Sequence, residues 1–411
     1  MGRCTSGYSG EAMAEGPRLV VFSSLFPSTV QPAAGLFIRE RMFRVARHLP
    51  LTVVAPVPWF PLQALIRLIR PGYRPMPPRR EVQDGIVVWH PRFLAVPGVL
   101  RTLDGFAMAV GSVLLLWRLK RRFGFQLIDA HFAYPDGYAA SLLGRWLKVP
   151  VTITLRGTEV PHAQHPGKRR RMLRALASAA RVFSVAEALK RHVVSLGADA
   201  GKIEVVGNGV DTEIFRPEDK QQARARLGIP LQAKVLISVG GLVERKGFHR
   251  VIELLPRLCR EFPDLVYLIV GGPSPEGDMR EELKRQVKRL GLQQHVRFLG
   301  VVPPTDLRFP LSAADVFVLA TRNEGWANVF LEAMACGLPV ITTDVGGNRE
   351  VVAQDHLGEV VPFGDAAALE AALRRALQRT WDRERIRQYA VHNGWQTRID
   401  RLLQVYREVT A

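Results

Sequence analysis

Short apolar runs alternate with longer helical patterns along almost the whole chain, and this limits the folds open to it. Runs at Leu19–Phe22, Leu51–Ala55, Ile86–Trp89, Leu127–Asp129, Val151–Leu155, Val182–Val185 and Ile203–Val206 read as strands. A second series follows at Val235–Val239, Leu265–Val270, Val296–Leu299, Val316–Leu319, Val340–Thr343 and Glu359–Val361. Most are continuous rather than alternating, the pattern of parallel strands buried on both faces. Strand–helix alternation predicts α/β architecture with doubly wound, Rossmann-like sheets. The 411 residues suffice for two such domains. Asn208-Gly209 signals a turn and Pro217 ends the local structure. A charged helix at Glu218–Leu227 and Gly228-Ile229-Pro230 follow, and then the strand pattern restarts. The expected boundary is therefore 216/217, after a disordered tail at 1–17 that lacks a signal peptide's apolar core. Two doubly wound domains create a cleft at the carboxyl ends of their strands, where ligands favour binding.

The net charge of +19 favours anionic partners. No zinc-finger spacing, basic zipper or RNA-binding signature accompanies it, so nucleic acid is not expected as a partner. The basic residues cluster in the first half: Arg67, Arg70, Arg74, Arg79 and Arg80; Arg118, Lys120, Arg121 and Arg122; Lys168, Arg169, Arg170, Arg171 and Arg174. Leu62, Leu65, Ile66 and Ile69 recur at helical spacing beside the first cluster, and an apolar run precedes the second. Each cluster alone reads as the solvated side of a helix whose apolar stripe packs on the sheet. Three together point to an anionic acceptor or to peripheral contact with an anionic membrane. The longest apolar stretch, Phe106–Trp117, is too short to span a bilayer, which takes about 20 residues, and reads as a buried helix. Three widely spaced cysteines, Cys4, Cys259 and Cys336, argue against a disulfide framework and for a reducing, cytoplasmic setting. Cys259 and Cys336 read as small buried hydrophobes.

The most informative stretch is Thr321–Asp344, TRNEGWANVFLEAMACGLPVITTD. A polar loop follows a strand, Asn328 is placed to cap a helix over Val329–Ala335, and Gly337 and Pro339 stop it. The N-terminus of such a helix suits a phosphate or diphosphate. Glu324 in the loop and Glu332 in the helix can accept hydrogen bonds from sugar and ribose hydroxyls, or act only as a solvated loop residue and a helix-end charge.

Two glutamates separated by seven residues, in an EGxxNVFLEAMACGLPV setting, resemble the donor-site signature of the family-4 retaining glycosyltransferases of the GT-B type. The resemblance implies two Rossmann-like domains facing a central cleft, the first for acceptor and the second for a nucleotide-sugar donor. It places Glu332 on the donor ribose, Glu324 on the donor sugar near the reacting centre, and the backbone at Asn328 and Val329 on the diphosphate, with Gly325 in the same motif. Val206–Asp211 with Phe215-Arg216-Pro217 is similar to the family's interdomain NGVD segment, and Ser238–Gly247 to its first second-domain strand and loop. Lys246 would contact the donor phosphates. Many members carry an arginine where this chain has Gly241, and here Arg245 is the neighbouring guanidinium. Phe26-Pro27-Ser28 leading through Gly35 to Arg39–Arg47 resembles the glycine loop facing donor and acceptor. His131, directly after a strand, matches a histidine near the transferred sugar, and Arg156-Gly157-Thr158-Glu159 another strand-end loop. Residues 391–411 resemble the helix that crosses back to the first domain. The EGWANVF wording fits the branch that resembles teichuronic-acid and exopolysaccharide enzymes.

The resemblance implies front-face transfer of a hexosyl-type sugar to a saccharide or lipid-linked acceptor, with retention. Lys246 and Arg245 would stabilise the leaving phosphate, and domain closure would exclude water. No Asp-x-Asp pair marks a metal site, so neither metal nor cofactor is expected. The glycines after strands do not form GxGxxG, which disfavours nicotinamide or flavin chemistry. The competing readings are an enzyme of the same fold with a different reaction, such as a nucleotide-sugar epimerase or a glycogen-phosphorylase-like enzyme, against which the donor segment argues, and a non-catalytic nucleotide-sugar-binding or membrane-docking subunit.

Overall fold

The computed structural model describes residues 16–32, 34–69, 73–96, 101–274 and 276–411. Cys4, Arg70 and nearly all of the expected 1–17 tail lie outside the described residues. The chain divides into two compact units. One takes the residues up to Ser184, Lys190–Val206 and Ile399–Ala411; the other takes Val185–Leu189 and Gly207–Arg398.

The first unit opens with β1 (Leu19–Phe22), α1 (Leu36–Val45), β2 (Leu51–Val54), β3 (Val57–Trp59) and α2 (Gln63–Ile69). It continues with β4 (Arg80–Gln83), β5 (Ile86–Trp89), β6 (Arg92–Leu94), α3 (Asp104–Arg122), β7 (Leu127–His131) and α4 (Tyr138–Leu147). β8 (Val151–Leu155), α5 (Glu159–Ala163), α6 (Pro166–Ser178), β9 (Arg181–Ser184), α7 (Glu187–Ser195) and β10 (Ile203–Val205) follow. Among the described residues, eight strands form one sheet in the order β10-β9-β8-β7-β1-β2-β5-β4. The pairs are parallel except for β4 with β5. All four residues of β1 and all five of β7 and β8 are buried, as doubly covered central strands must be.

The second unit contains α8 (Lys220–Arg226), β11 (Val235–Val239), α9 (Phe248–Glu261), β12 (Val266–Val270), α10 (Arg280–Arg289) and β13 (Val296–Gly300). Then come α11 (Pro304–Ala313), β14 (Val316–Leu319), α12 (Asn328–Ala335), β15 (Val340–Thr343), α13 (Asn348–Val351) and β16 (Gly358–Val361). α14 (Ala366–Gln378), α15 (Arg383–His392) and α16 (Trp395–Thr410) end the chain. Six parallel strands run in the order β13-β12-β11-β14-β15-β16. Alternate residues of each strand feed two cores. Val235, Ile237, Leu268, Phe317 and Leu319 face one, and Leu236, Tyr267, Ile269, Val316 and Val318 face the other. This two-sided burial is why the strands are written as continuous apolar runs.

Several expectations are corrected. The break falls at Val206/Gly207, not 216/217, because Val210 and Phe215 are buried in the second unit's core. The closing segment joins the first unit from Ile399 rather than 391. α15 stays behind because Ile386 and Ala390 are buried in the second core, whereas Tyr406 stacks edge-on against Phe183 of the first unit at 5.9 Å. Three strands went unread: β3 and β6, which pair as a separate two-stranded ribbon, and the edge strand β4. β3 is three residues with a proline and no buried residue, and β4 is polar at three of its four positions and buries only Glu81, so neither reads as a buried strand. The helix over Phe106–Trp117 is only half buried, and the apolar stripe of α2 does not pack on the sheet: Gln63 is its one buried residue. Cys336 is buried, but Cys259 is only partly so.

Candidate functional site

Two loops of the second unit emerge side by side because their strands, β11 and β14, are hydrogen-bonded parallel neighbours. The β11 loop passes through Gly240-Gly241 into a tight turn at Glu244–Lys246 and then α9. The β14 loop runs over 320–327 into α12. The main chains are tied where they meet, with Arg322 N–H donating to Arg245 O at 2.7 Å.

This arrangement brings Lys246, Arg245 and Glu324 together. Lys246 Nζ donates to Glu324 Oε1 at 2.5 Å. Thr321 Oγ1 donates to the same oxygen at 3.1 Å, and Arg245 Nη1 lies 3.4 Å from it. Arg245 Nη1 also donates to Asn323 O at 3.2 Å. Glu324 is buried, so its carboxylate is held by two cations and a hydroxyl rather than by water. Arg245 closes a fork on Glu276, with Nε and Nη2 donating to the two carboxylate oxygens at 2.7 and 2.8 Å. That pairing holds the Glu276 carboxyl below its ordinary range and the guanidinium above its own.

α12 begins where the loop ends. Asn328 is its first residue and not its side-chain cap, correcting the expected role: Ala327 precedes the helix and no side chain caps it. Asn328 Oδ1 instead accepts from Asn208 Nδ2 at 2.9 Å. The eight-residue helix has no side-chain cap, so its first amides and positive dipole end are open where the loop carrying Glu324 runs into it. Asn328 and Glu332 are four residues apart and share one partly exposed face, while Phe330, Leu331, Ala333 and Met334 are buried and anchor the helix. Gly325, next to Glu324, and Val329, next to Asn328, are also partly exposed.

Sequence reasoning missed the residues that pin this loop. Gly346 has φ 54°, and a Cβ there would stand 1.6 Å from Glu324 O, so the turn after β15 can cross the loop only as glycine. Gly347 abuts Gly325 O. The Gly346-Gly347 pair directly after a strand was the available signal. Thr321 opens the same loop as Glu324, three residues before it, whereas Glu276 had no signal, because its loop meets Arg245 only in three dimensions.

The two remaining expected residues belong to the first unit. Gly35 precedes α1 with φ 68°, and a Cβ would stand 2.4 Å from Leu25 O. His131 ends β7 and is fully buried. Its Nδ1 lies 3.1 Å from Arg156 Nε, which can only donate. The ring proton is therefore on Nε2, 3.4 Å from Asp129 Oδ2. Burial, then the charges of Arg156 and Arg41, hold the imidazole pKa well below its ordinary value, so the ring is neutral. Asp129 accepts from Thr152 Oγ1 at 2.7 Å, and burial raises its pKa against that bond and against Arg41. Nearby, Glu159 accepts from the N–H groups of Ala133, Arg156 and Gly157 and so fixes the Arg156-Gly157-Thr158-Glu159 loop. Asp136 accepts from Ser24 N and Oγ, and burial pushes its carboxyl up to about 7.

Comparison with known proteins identifies the family and the fold. Residues 219–392 match the family described as "Glycosyl transferases group 1", and residues 66–214 match "Glycosyltransferase Family 4". The chain is 30% identical over 373 residues, 89% of its own length and 91% of the relative's, to a Bacillus subtilis (strain 168) protein named as a proposed teichuronic acid biosynthesis glycosyltransferase, TuaC. It is 33% identical to a D-inositol 3-phosphate glycosyltransferase of Corynebacterium urealyticum, over 74% of this chain and 76% of that one. Among solved structures it resembles sucrose-phosphate synthase from Thermosynechococcus elongatus, with a TM-score of 0.75, 20% identity and coverage of 96% and 99%. It also resembles Anabaena Alr3699/HepE in complex with UDP and glucose, with a TM-score of 0.73, 19% identity and coverage of 95% and 99%. With two parallel-sheet units of Rossmann type, and with a relative matched across nine-tenths of its length, the chain belongs to the family-4 (group 1) glycosyltransferases of GT-B fold.

Proposed function

We propose that the protein transfers a hexosyl-type sugar, with retention and without a metal, from a nucleotide-diphosphate sugar to a saccharide or lipid-linked acceptor in cell-surface polysaccharide biosynthesis. It would act in the cytoplasm, peripherally at the inner face of an anionic membrane. The observation that carries the donor reading is the Lys246–Glu324 contact with Arg245 beside it, in the loop that leads into the uncapped start of α12. Two cations and a helix N-terminus suit a diphosphate, and a buried carboxylate at their centre suits sugar hydroxyls. In this reading the diphosphate lies on the amides at Asn328 and Val329, and Glu332 takes the ribose. Glu324, beside Gly325, orients the sugar, and Lys246 with Arg245 stabilises charge as it grows on the leaving phosphate. The C1–O bond to phosphate breaks while the acceptor oxygen bonds to C1 on the same face. The acceptor proton passes to the departing phosphate oxygen. Gly35 lets its loop approach the donor. His131, neutral and enclosed, acts as a positioning residue for Arg156 and not as a proton carrier.

UDP is the first nucleotide to test, because Anabaena HepE is described in complex with UDP and with UDP-glucose. Melting of the purified protein is followed with UDP, GDP or ADP, with and without a chelator. A rise with one nucleotide that the chelator leaves intact is expected. Lys246→Ala should weaken that nucleotide by roughly ten- to a hundredfold, the worth of a charge-assisted hydrogen bond. Unchanged affinity removes Lys246 from the phosphate site. No rise with any of the three overturns the donor reading.

A further inference from the structure

α3 is apolar on two opposite sides. Gly105, Met108, Ala109, Ser112, Leu116 and Leu119 form its buried side. Leu103, just before the helix, and Phe106, Val110, Leu114 and Trp117 recur every three or four residues on the other side, and all are exposed, Leu114 to 69%. A helix needs one apolar stripe to fold onto its sheet, and the second has no folding role. α2 also exposes apolar residues: Leu62, just before it, and Leu65, Leu68 and Ile69, the last two to 81% and 85%. The ribbon of β3 and β6 connects the two helices. Gly111 of α3 abuts Arg92 O and Phe93 of β6. Arg74 donates to Ala95 O just after β6 and accepts on its own carbonyl from Gln63 and Arg67 of α2. Trp59 and Leu94 are register partners across the ribbon, so they share a face, and both are exposed.

Charge decides what covers this surface. Between Val57 and Arg79 the sequence has no Asp or Glu but holds Arg67, Arg70, Arg74 and Arg79. α3 has no acid after Asp104 and ends in exposed Arg118, Arg121 and Arg122. Arg121 lies over the Trp117 ring at 3.7 Å, a basic residue on an amphipathic ring as at a membrane–water boundary. Among the described residues no helix is long and apolar enough to cross a membrane. We infer that the exposed stripes of α2 and α3, with the β3–β6 ribbon, form a docking face that inserts shallowly into an anionic lipid surface. Leucine, isoleucine, phenylalanine and tryptophan side chains enter the acyl boundary, and the arginines meet the headgroups. This deepens the membrane part of the proposed function by assigning it a surface.

The test is co-sedimentation of the full chain with phosphatidylcholine vesicles, with or without phosphatidylglycerol, at low and high salt. Binding is expected only with phosphatidylglycerol and should weaken with salt. Leu114→Glu and Leu68→Glu should each weaken it roughly tenfold or more, the loss of one buried leucine. Arg121→Gln should weaken it roughly fivefold, the attraction of one basic residue to an anionic leaflet. These positions are exposed, so melting temperatures and the nucleotide-induced rise should be unchanged. No binding to the anionic vesicles, or binding by both glutamate variants at the level of the parent, overturns the proposal. A concentration-dependent dimer abolished by the same substitutions also overturns it and gives the face to a second copy of the chain. Vesicle binding without any nucleotide response would sink the donor reading and leave this face standing, and the converse would sink only the face.

Discussion

The two units handle buried charge in opposite ways. In the second unit Lys246, Arg245 and Glu324 meet at the ends of two strands, and Arg245 and its partner Glu276 are still partly exposed. A ligand phosphate can replace a carboxylate there at small cost, because the cations are already gathered and the exchange is one anion for another. In the first unit Arg41, Asp129, His131 and Tyr406 are at most 1% exposed. Burial shifts each toward its neutral form: Arg41 and His131 down, Asp129 and Tyr406 up. Those groups lie within electrostatic reach of one another on β7, α1 and α16. The contrast separates a charge cluster built to exchange partners from one that fixes the strand ends carrying His131 and Arg156.

The strongest way to break this contrast is Asp129→Ala, which strips Arg41 and Arg156 of a buried counter-charge. A loss of about 3–5 kcal/mol is expected, read as a lower urea midpoint. Nucleoside diphosphate affinity measured well below that midpoint should hold. An unchanged midpoint would mean the first cluster is as exchangeable as the second. Glu324→Gln should do the reverse, cutting transfer roughly a hundredfold through lost orientation of the sugar while leaving stability and nucleotide affinity nearly intact. Equal loss of transfer and binding would take the orienting role from Glu324.

Asp136 sharpens the comparison by pH. Its folded pKa of about 7 lies above the ordinary carboxylate value. Between roughly pH 4 and 7 the unfolded chain has lost this proton and the folded chain retains it, so stability falls as pH rises, by up to about 1.4 kcal/mol per pH unit. An asparagine side chain in its place cannot titrate. The melting temperature of the Asp136→Asn variant minus that of the parent should therefore climb from pH 5 to pH 8, and a flat difference would show that the carboxyl is solvated. The smallest effect is expected from Glu276→Gln. Releasing Arg245 from its charged fork should tighten nucleoside diphosphate binding two- to fivefold, about 0.5–1 kcal/mol. Equal or weaker binding would remove Arg245 from the phosphate site and leave Gly241 without a substitute.

The sequence by itself determined the parallel α/β class, because strands buried on both faces need continuous apolar residues wherever they sit. It also determined the Thr321–Asp344 segment, where loop, helix and strand are consecutive and the chemistry is local. Tertiary structure decided what depends on residues far apart in the chain. Val210 and Phe215 chose their core, so the unit boundary moved from 216 to 206. Glu276 found Arg245, Gly346 found the Glu324 carbonyl, and Arg156 closed on His131. The stripes on α2 and α3 looked like core stripes, since an apolar period of 3.6 is the same whether a sheet or nothing lies opposite. Only packing showed which of them remained uncovered.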